Sequence, residues 1–494
     1  MKKFSLISFI AISILAINGC KKSYFDLSAN PNSSSTATPA LVLTNAMATT
    51  GTFPIVQFQF VSGWMGYWAP SGSYAINNQD VASYSQTTAF GDGLFRSVYD
   101  NLGDYEFIER EATKTNSSFY IAAAKVMKAY DYQILVDVFN NVPYTEALKG
   151  TANLTPKYDN GQFIYEDLAK QLDAAVVLFK RTDAIGTAAS DIMFKGNNSQ
   201  WIKFANTLKL RLLIHQTQMP GRSAYIQTEI DKITANGGGY LTTDAGVDPG
   251  YSASTGKQNP FYAINYNTNN VNIGDYWKAN KYAIDFGLAT NDTNRLKRLY
   301  TKVGDTIFVG SRLGAINNPV GGKVSNLGPG VLKSVSQPSI LISASESYFL
   351  QAEASLRSFI GGNTGALYAA GVTASFNYLG AVITSIPTST PADAAAAYLL
   401  NVPFGAVPNF TTQLALIIRQ KWVSENSVMP LEAYNDYRRL MLPSDIPISV
   451  STFVDVPSIP TRYLYPTSEY STNAANVAAQ GTINHHTSKI FWMP

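Results

Sequence analysis

The sequence predicts a mainly α-helical protein in which long irregular loops and a little β-structure interrupt the helices. Apolar residues recur every three to four positions over about residues 117–236 and again over about 343–441, which is the spacing of amphipathic helices. Two other segments, about residues 55–80 and about residues 237–340, are instead rich in Gly, Asn, Pro and aromatic residues. We therefore expect a single body, residues 41–494, in which helices form a scaffold and two loop regions carry the function.

The N-terminus has the features of an export signal that ends at the only cysteine of the chain. Two lysines precede the apolar run FSLISFIAISILAI, whose fourteen residues are too few for a membrane span of about 20. The following residues 17–20, INGC, resemble the processing box of bacterial lipoproteins. We predict a signal peptide over residues 1–19, a lipid attached at Cys20, and a tether over residues 20–40.

Four helices are predicted for the first helical block. In FIYEDLAKQLDAAVVLFK the apolar residues fall on one face, whereas Glu166 and Lys170 form an i,i+4 pair on another. Similar patterns occur in FYIAAAKVMKAYDYQILVDVF, which ends before Pro143, in SQWIKFANTLKLRLLIHQTQ, which ends at Pro220, and in AYIQTEIDKITAN, which ends at Gly237. Short links between these segments indicate that the helices pack on one another.

The second helical block starts at SASESYFLQAEASLRSF, where Ser343 followed by Glu346 three residues later predicts a capping box. Glu353 lies among small residues of the same helix, and we interpret it as a buried or interface partner. LYAAGVTASFNYLG predicts the returning helix of a pair, and TQLALIIRQKWVSENSVMPLEAYNDYRRL predicts further helix that breaks near Pro430.

The loop regions concentrate groups that suit neutral polyhydroxylated ligands. The sequence has 37 Asn and 29 Tyr but only 14% charged residues, and residues 258–282 alone hold seven Asn and six aromatic residues. Amides exchange hydrogen bonds with hydroxyls, and aromatic rings pack on C–H faces. The alternative, that Asn and Tyr only occupy turns, stays open. From this local chemistry we predict the following ligand-binding residues: Trp64, Trp68, Tyr74, Tyr262, Tyr266, Asn269, Asn270, Tyr276 and Trp277.

The sequence offers little support for nucleic-acid binding, for metal or phosphate sites, or for catalysis. Without the two N-terminal lysines, 35 basic residues face 34 acidic ones, so nucleic-acid binding has no electrostatic basis. Three histidines do not form an HExxH motif, and GYSASTGKQ has Gln258 where a phosphate loop needs Ser or Thr. We expect no catalysis, metal or cofactor. An all-α glycosidase stays an alternative, because paired carboxylates leave no spacing rule.

Seven pieces of sequence follow one another along nearly the whole chain. They are the processing box at Cys20, NPN at residues 30–32, AAAKVMKAYDYQILVDVFNNVPYTEAL, TPKYDNGQFIYEDLAKQLDAA, SASESYFLQAEASLR, IIRQKWVSEN with NDYRRL, and IPTRYLYPTSEYSTN. Together they resemble the SusD/RagB-type nutrient-binding outer-membrane lipoproteins of the Bacteroidetes. We interpret YRRL and RYLYP as structural pieces, since arginine forks suit buried carboxylate and backbone partners.

The resemblance implies tetratricopeptide-like helix pairs as the scaffold and loops that form a shallow ligand site. It further implies that the protein is anchored by its lipid in the outer membrane, facing the cell exterior. There a SusC-like TonB-dependent transporter is the implied partner, which receives a captured glycan or other small polymer uncleaved. A peptide ligand, or a purely structural or adhesive function, stays an alternative. Because ligand loops vary within the family, no binding residue transfers by motif.

Overall fold

The computed structural model of the protein describes residues 37–74 and 79–494, in which most regular structure is helical, as the sequence predicts. The predicted signal peptide, Cys20 and most of the tether lie outside the described residues. The first helix of the described part of the chain begins at Pro39, so residues 39–40, which were predicted as tether, are helical. No helix in the described ranges combines the length and the apolar character that crossing a bilayer requires.

The helices and strands are numbered here in chain order. The helices before the central region are α1 Pro39–Thr50, α2 Phe53–Val56, α3 Gln59–Trp64, α4 Gln79–Ser83, α5 Asp92–Lys114, α6 Ser118–Phe139, α7 Gly161–Phe179, α8 Asn198–His215 and α9 Ser223–Asn236. The later helices are α10 Pro260–Ala263, α11 Lys281–Ala289, α12 Thr293–Leu299, α13 Ala344–Leu356, α14 Thr364–Leu379, α15 Pro391–Leu399, α16 Phe410–Glu425, α17 Pro430–Leu440, α18 Thr467–Thr472 and α19 Ala474–Ala478. The strands are β1 Trp68–Pro70, β2 Val142–Pro143, β3 Tyr158–Asp159, β4 Ala245–Val247, β5 Trp277–Ala279 and β6 Ser339–Ile342, which pair antiparallel as β1–β5, β2–β3 and β4–β6.

The first helical block consists of the four predicted helices, α6 to α9, and of α5, which the sequence reading missed. Consecutive helices pack on one another from α5 through α8. In α7 the predicted apolar face is buried, including Ile164, Leu168 and Leu172. Helix α9 ends where predicted, at Gly237, whose φ of 68° is a left-handed conformation that glycine adopts without strain.

The second helical block contains the predicted pair α13 and α14, followed by α16 and α17 on either side of the break before Pro430. Only half of the predicted capping box forms. The Ser343 hydroxyl accepts a hydrogen bond from the Glu346 N–H at 3.0 Å, whereas the Glu346 carboxylate turns inward to Arg211 at 2.6 and 2.8 Å. A bidentate arginine is a stronger partner for a buried carboxylate than one backbone N–H.

Asparagines begin many of the helices, and this accounts for part of their abundance. At each of these positions the side-chain oxygen accepts a hydrogen bond from an N–H of the first helical turn, which otherwise lacks a partner. The six capping asparagines are Asn160, Asn197, Asn259, Asn280, Asn363 and Asn409. The composition therefore reflects helix starts as well as loops.

Buried arginines join the two helical blocks to each other and the helices of the second block among themselves. Arg211 of α8 reaches Glu346 of α13, and Arg439 of α17 reaches Glu353 of α13 through two hydrogen bonds of 2.6 and 2.8 Å. The guanidinium of Arg438 donates to the carbonyl oxygen of Asp137 at 2.8 Å. These contacts agree with the interpretation of YRRL as a structural motif and of Glu353 as a buried partner.

The central region, residues 237–340, is more regular than the sequence suggested. It contains the short helices α10 to α12, and β4 and β6 pair with each other at its two ends. The piece DTIFVG does not form a strand; only an isolated bridge joins Val303 to Ile307. A two-residue bridge leaves most backbone groups of this exposed turn to water.

Candidate functional site

The pairing of β1 with β5 brings the two predicted ligand regions together. Trp68 lies opposite Ala279 and Pro70 lies opposite Trp277 in an antiparallel register. Beyond the strands, the N–H of Ser71 donates to the carbonyl oxygen of Tyr276 at 2.8 Å. Residues that are distant in the chain thus share one surface.

Three of the predicted aromatic residues form an accessible row on this surface. The rings of Tyr74 and Tyr276 meet edge to face with their centroids 5.3 Å apart, and those of Tyr276 and Trp277 do so at 5.0 Å. Tyr74 is 41% exposed, and Tyr276 and Trp277 are partly exposed. Because successive rings are nearly perpendicular, they present both faces and edges to the solvent.

The row lines a cleft with a volume of about 190 Å³, which we call the aromatic cleft. Besides Tyr74, Tyr276 and Trp277 it is lined by Gln59, Trp68, Ile264, Asn265, Ile273, Gly274, Asp275 and Leu327. Aromatic rings and amide groups therefore occur side by side, which is the combination predicted for a polyhydroxylated ligand.

Charge is balanced within the aromatic cleft. The Asp275 carboxylate lies 3.1 Å from the ammonium group of Lys278, which is itself buried and also donates to the side-chain oxygen of Asn326 at 2.6 Å. The single lining carboxylate thus has a cation as its neighbour. This arrangement suits a neutral ligand better than a charged one.

The structure places other predicted residues beneath the surface. Trp64 is fully buried and its indole N–H donates to the Val81 carbonyl oxygen at 3.0 Å. Trp68 is 1% exposed, stacks on Phe261 with an interplanar angle of 7°, and donates to the Ser427 hydroxyl at 3.0 Å. Because Trp64 ends helix α3 inside the core, its expected stacking on a ligand is corrected to a packing role, and Trp68 supports the floor of the cleft.

Four predicted residues belong to a turn beside the aromatic cleft. Tyr262 stacks on Tyr266 at 4.9 Å, and its hydroxyl donates to the side-chain oxygen of Asn270. Burial raises the pKa of Tyr262, so its hydroxyl stays protonated for this bond. Asn269 and Asn270 are exposed at the tip, which the Asn267 side chain closes by accepting the N–H of Asn269 at 3.0 Å. Tyr262 itself is only 7% exposed.

A smaller cavity of about 90 Å³, which we call the side pocket, opens next to the aromatic cleft. Tyr74 and Tyr276 line both. The other described residues that line the side pocket are Pro70, Ser71, Gly72, Val81, Ala82, Leu313, Gly314, Ala315, Ile316 and Asn318. Gln59 and residues 312–318 lie within the two predicted loop regions, but the sequence does not single them out, because isolated aliphatic, glycine and amide residues in loops have no distinguishing pattern.

Two larger clefts do not have Tyr74, Tyr276 or Trp277 among their described lining residues. One of about 240 Å³ is lined by the charged residues Lys281, Asp285 and Arg312, by aliphatic residues and by the half-buried Tyr282. The other, of about 300 Å³, lies against α5, α6 and α7, where Lys125 and Lys128 are paired with carboxylates of α5. Neither contains an exposed aromatic platform comparable to the row formed by Tyr74, Tyr276 and Trp277.

Within residues 37–74 and 79–494, one group of side chains has the composition of a metal site: Asp137, His215 and Glu432. The ring nitrogen Nε2 of His215 lies 3.0 Å from the Glu432 carboxylate. Its other ring nitrogen, Nδ1, lies 3.7 Å from the Asp137 carboxylate and 3.2 Å from the Tyr165 hydroxyl. All four groups are buried. The imidazole is enclosed by protein partners on both sides, so we interpret the group as part of the buried ionic network.

Comparison with known proteins found matches over most of the chain. The model of a SusD-like family described as "Starch-binding associating with outer membrane" matches residues 31–466. Among curated protein sequences, no significant match was found.

Solved structures share the fold along their whole length. A chitin-binding protein is 25% identical, with a TM-score of 0.75 over 92% of this chain and 100% of its own. A SusD-like protein from Bacteroides thetaiotaomicron is 22% identical, with a TM-score of 0.74 over 91% of this chain and 98% of its own. A chitin-binding SusD homolog from Flavobacterium johnsoniae is 21% identical, with a TM-score of 0.74 over the same shares.

Proposed function

Since the chain belongs to the SusD-like family, whose members are described as starch-binding and associated with the outer membrane, we propose that it captures neutral oligosaccharides in the aromatic cleft. It then delivers them, without cleaving them, to a TonB-dependent outer-membrane transporter. One observation carries this proposal: the accessible row of Tyr74, Tyr276 and Trp277 beside amide groups, in a cleft with balanced charge.

The chemistry of the aromatic cleft supports weak, reversible capture. Each ring that stacks on a sugar contributes about 0.5–1.5 kcal/mol beyond the area it buries. Each hydrogen bond from an amide such as Asn265 or Asn269 adds about 1 kcal/mol net. A few such contacts correspond to dissociation constants from about micromolar to about millimolar. Affinity of this order permits release to a transporter.

The membrane part of the proposal depends on the N-terminus. A lipid on Cys20 anchors the protein to the outer membrane, and the polar segment before α1 tethers the body outside the cell. Replacing Cys20 by Ala is expected to move the protein from the membrane fraction to the soluble fraction. Protease treatment of intact cells is expected to digest the wild-type protein; full protection would contradict the outward orientation. Co-purification of a TonB-dependent transporter from detergent extracts tests the partner.

Ligand binding is tested by calorimetric titration of the purified body with a panel of oligosaccharides. The panel includes chito-oligosaccharides, because one structural relative is a chitin-binding protein, together with malto-, cello- and xylo-oligosaccharides and a peptide pool. Tyr74→Ala and Tyr276→Ala are expected to weaken binding of the preferred glycan at least about tenfold each. Tyr470→Ala is the matched control, because Tyr470 is exposed to a similar extent, 45% against 41% for Tyr74, but lies on α18.

The alternatives give different results in the same experiment. Binding of peptides and of no glycan would replace the glycan proposal by the peptide alternative. Shortened products after long incubation would indicate a glycosidase. Glycan binding that is unchanged in both tyrosine variants would place the site elsewhere on the molecule, for example in one of the two larger clefts.

A further inference from the structure

We propose that the side pocket binds an acyl substituent, such as an acetyl group, on a sugar residue held in the aromatic cleft. This inference rests on the proposed glycan binding and adds the class of sugar and a second subsite. It comes from the position, size and wall chemistry of the side pocket.

The side pocket opens where a stacked sugar would place a substituent. Tyr74 and Tyr276 line both cavities, with their ring centroids 5.3 Å apart. A sugar ring that contacts either tyrosine from the aromatic cleft therefore has a neighbouring carbon close to the opening. One substituent can enter while the ring stays stacked.

The volume of the side pocket suits a small group. A volume of about 90 Å³ is several times the roughly 10–15 Å³ that one enclosed water needs, so the side pocket has room for several non-hydrogen atoms. An acetyl group has three non-hydrogen atoms, whereas a whole sugar residue has nine or more. The side pocket is about half the size of the aromatic cleft, 90 against 190 Å³, and it offers more room than a hydroxyl requires.

Polar and apolar groups both line the side pocket, and the apolar side chains form one part of its wall. Val81, Ala82 and Leu313 are buried and line it together with Pro70 and Ala315. A sugar hydroxyl placed against these side chains would lose its hydrogen bonds to water without replacement. A methyl group placed there would instead be removed from water, which favours binding.

One polar group in the side pocket matches a carbonyl oxygen. The Ser71 hydroxyl accepts a hydrogen bond from the Ser73 N–H at 3.3 Å, and the described residues provide no acceptor for its own proton. The Ser71 backbone is held by its bond to the Tyr276 carbonyl oxygen. An acyl group supplies both required features, a methyl group for the walls and a carbonyl oxygen for this donor.

Close backbone contacts fix the shape of the side pocket. A Cβ atom on Gly72 would lie 1.9 Å from the Asn318 carbonyl oxygen, and one on Gly314, whose φ is +80°, would lie 2.3 Å from the Ser449 hydroxyl. The Asn318 side chain donates to the carbonyl oxygens of Pro70 and Arg312 at 3.0 and 2.8 Å. The side pocket is thus formed before a ligand arrives, which lowers the cost of binding.

The test compares acetylated oligosaccharides with matched partners that lack the acetyl groups. Tetra-N-acetylchitotetraose is titrated against cellotetraose, which has hydroxyls in place of the acetamido groups. O-acetylated xylotetraose is titrated against the same sample after alkaline removal of its esters. We expect the acetylated member of at least one pair to bind about tenfold more tightly or better, because methyl burial and one hydrogen bond each change affinity severalfold. The pair that shows the preference identifies an amide-linked or an ester-linked acetyl group.

Two variants locate the preference. Ala315→Leu fills the side pocket and Ser71→Ala removes the donor; each is expected to bring the affinity for the acetylated glycan to within about threefold of that for its partner. Ala396→Leu, the same change at an exposed position on α15, is expected to alter nothing. Circular dichroism and the melting temperature verify that each variant is folded. If only one of the two variants folds, that variant alone is enough to test the side pocket.

Equal affinities within both pairs, or a preference that survives in both variants, would overturn the acyl subsite while glycan binding stands. Absence of binding to every glycan of the wider panel would overturn the proposed function itself.

Discussion

Replacing Glu353 by Gln removes one charge from the centre of the scaffold and nearly preserves the shape of the side chain. The carboxylate is 2% exposed. It accepts two hydrogen bonds from Arg439, at 2.6 and 2.8 Å, and one from Arg357 at 2.8 Å. These bonds join α13 to α17, so we expect Glu353→Gln to destabilise the whole body.

The size of the effect follows from the pKa of Glu353. Burial alone would raise this pKa, but Arg439 and Arg357 outweigh burial and lower it from 4.5 to about 2. Since one pKa unit corresponds to about 1.4 kcal/mol, the ionised form stabilises the fold by about 3 kcal/mol. Breaking a buried ion pair by removing one partner costs about 3–5 kcal/mol, which agrees.

The free energy of unfolding is measured by urea titration, followed by both tryptophan fluorescence and circular dichroism. A lowered pKa contributes stability that is complete above about pH 4.5 and is lost as the pH falls through about 2. The difference between the wild type and Glu353→Gln should therefore be constant from pH 7 to pH 5 and shrink below. Glu111→Gln, the same change at a partly exposed surface carboxylate paired with Lys114, is the control and should leave the midpoint unchanged. A difference below about 1 kcal/mol at pH 7, or one that stays constant down to pH 3, would refute the reasoning.

Three further predictions concern single residues. Burial opposes protonation of His215, but Glu432 and Asp137 outweigh burial and raise the pKa of His215 from 6.5 to about 9. The stability that the protonated imidazole contributes is therefore lost as the pH rises through about 9, so the melting temperature should fall more between pH 7 and pH 10 for the wild type than for His215→Gln. Equal falls in the two proteins would contradict this prediction. Gly72→Ala forces apart the walls of the side pocket, so calorimetry should find glycan affinity reduced more than about tenfold in a folded protein. A Cβ on Gly371 would lie 2.8 Å from the Phe349 ring, so Gly371→Ala should lower the free energy of unfolding by about 1–3 kcal/mol. Urea titration measures this change, and an unchanged midpoint would show that α13 and α14 can move apart freely.

Much of the scaffold could be predicted because its helices carry their own signal. The apolar spacing in α7 and the glycine after α9 each depend on residues a few positions apart. Helix α5 was missed although Leu94, Val98 and Leu102 show the same spacing, so the signal was present in the sequence. The inward turn of Glu346 could not be predicted, because its partner Arg211 is distant in the chain.

The candidate site was predicted in its chemistry but not in its geometry. Tyr276 and Trp277 form a row with Tyr74 only because two strands of three residues each pair across the chain, and strands this short have no reliable pattern. Local composition also could not separate Trp64, which points into the core, from Tyr74, which points outward. Both lie in a segment rich in glycine and aromatic residues, where apolar residues follow neither the spacing of a helix nor the alternation of a strand.

The pairing of β1 with β5 also has a consequence for folding. The site is assembled from segments about 200 residues apart, so a long stretch of chain must be ordered before Trp68 can meet Trp277, whose ring centroids end 6.1 Å apart. A partly folded chain therefore has helices but no site. The fluorescence of this indole pair should change late in refolding, after the far-ultraviolet dichroism of the helices has recovered, so ligand capture begins only when the chain is completely folded.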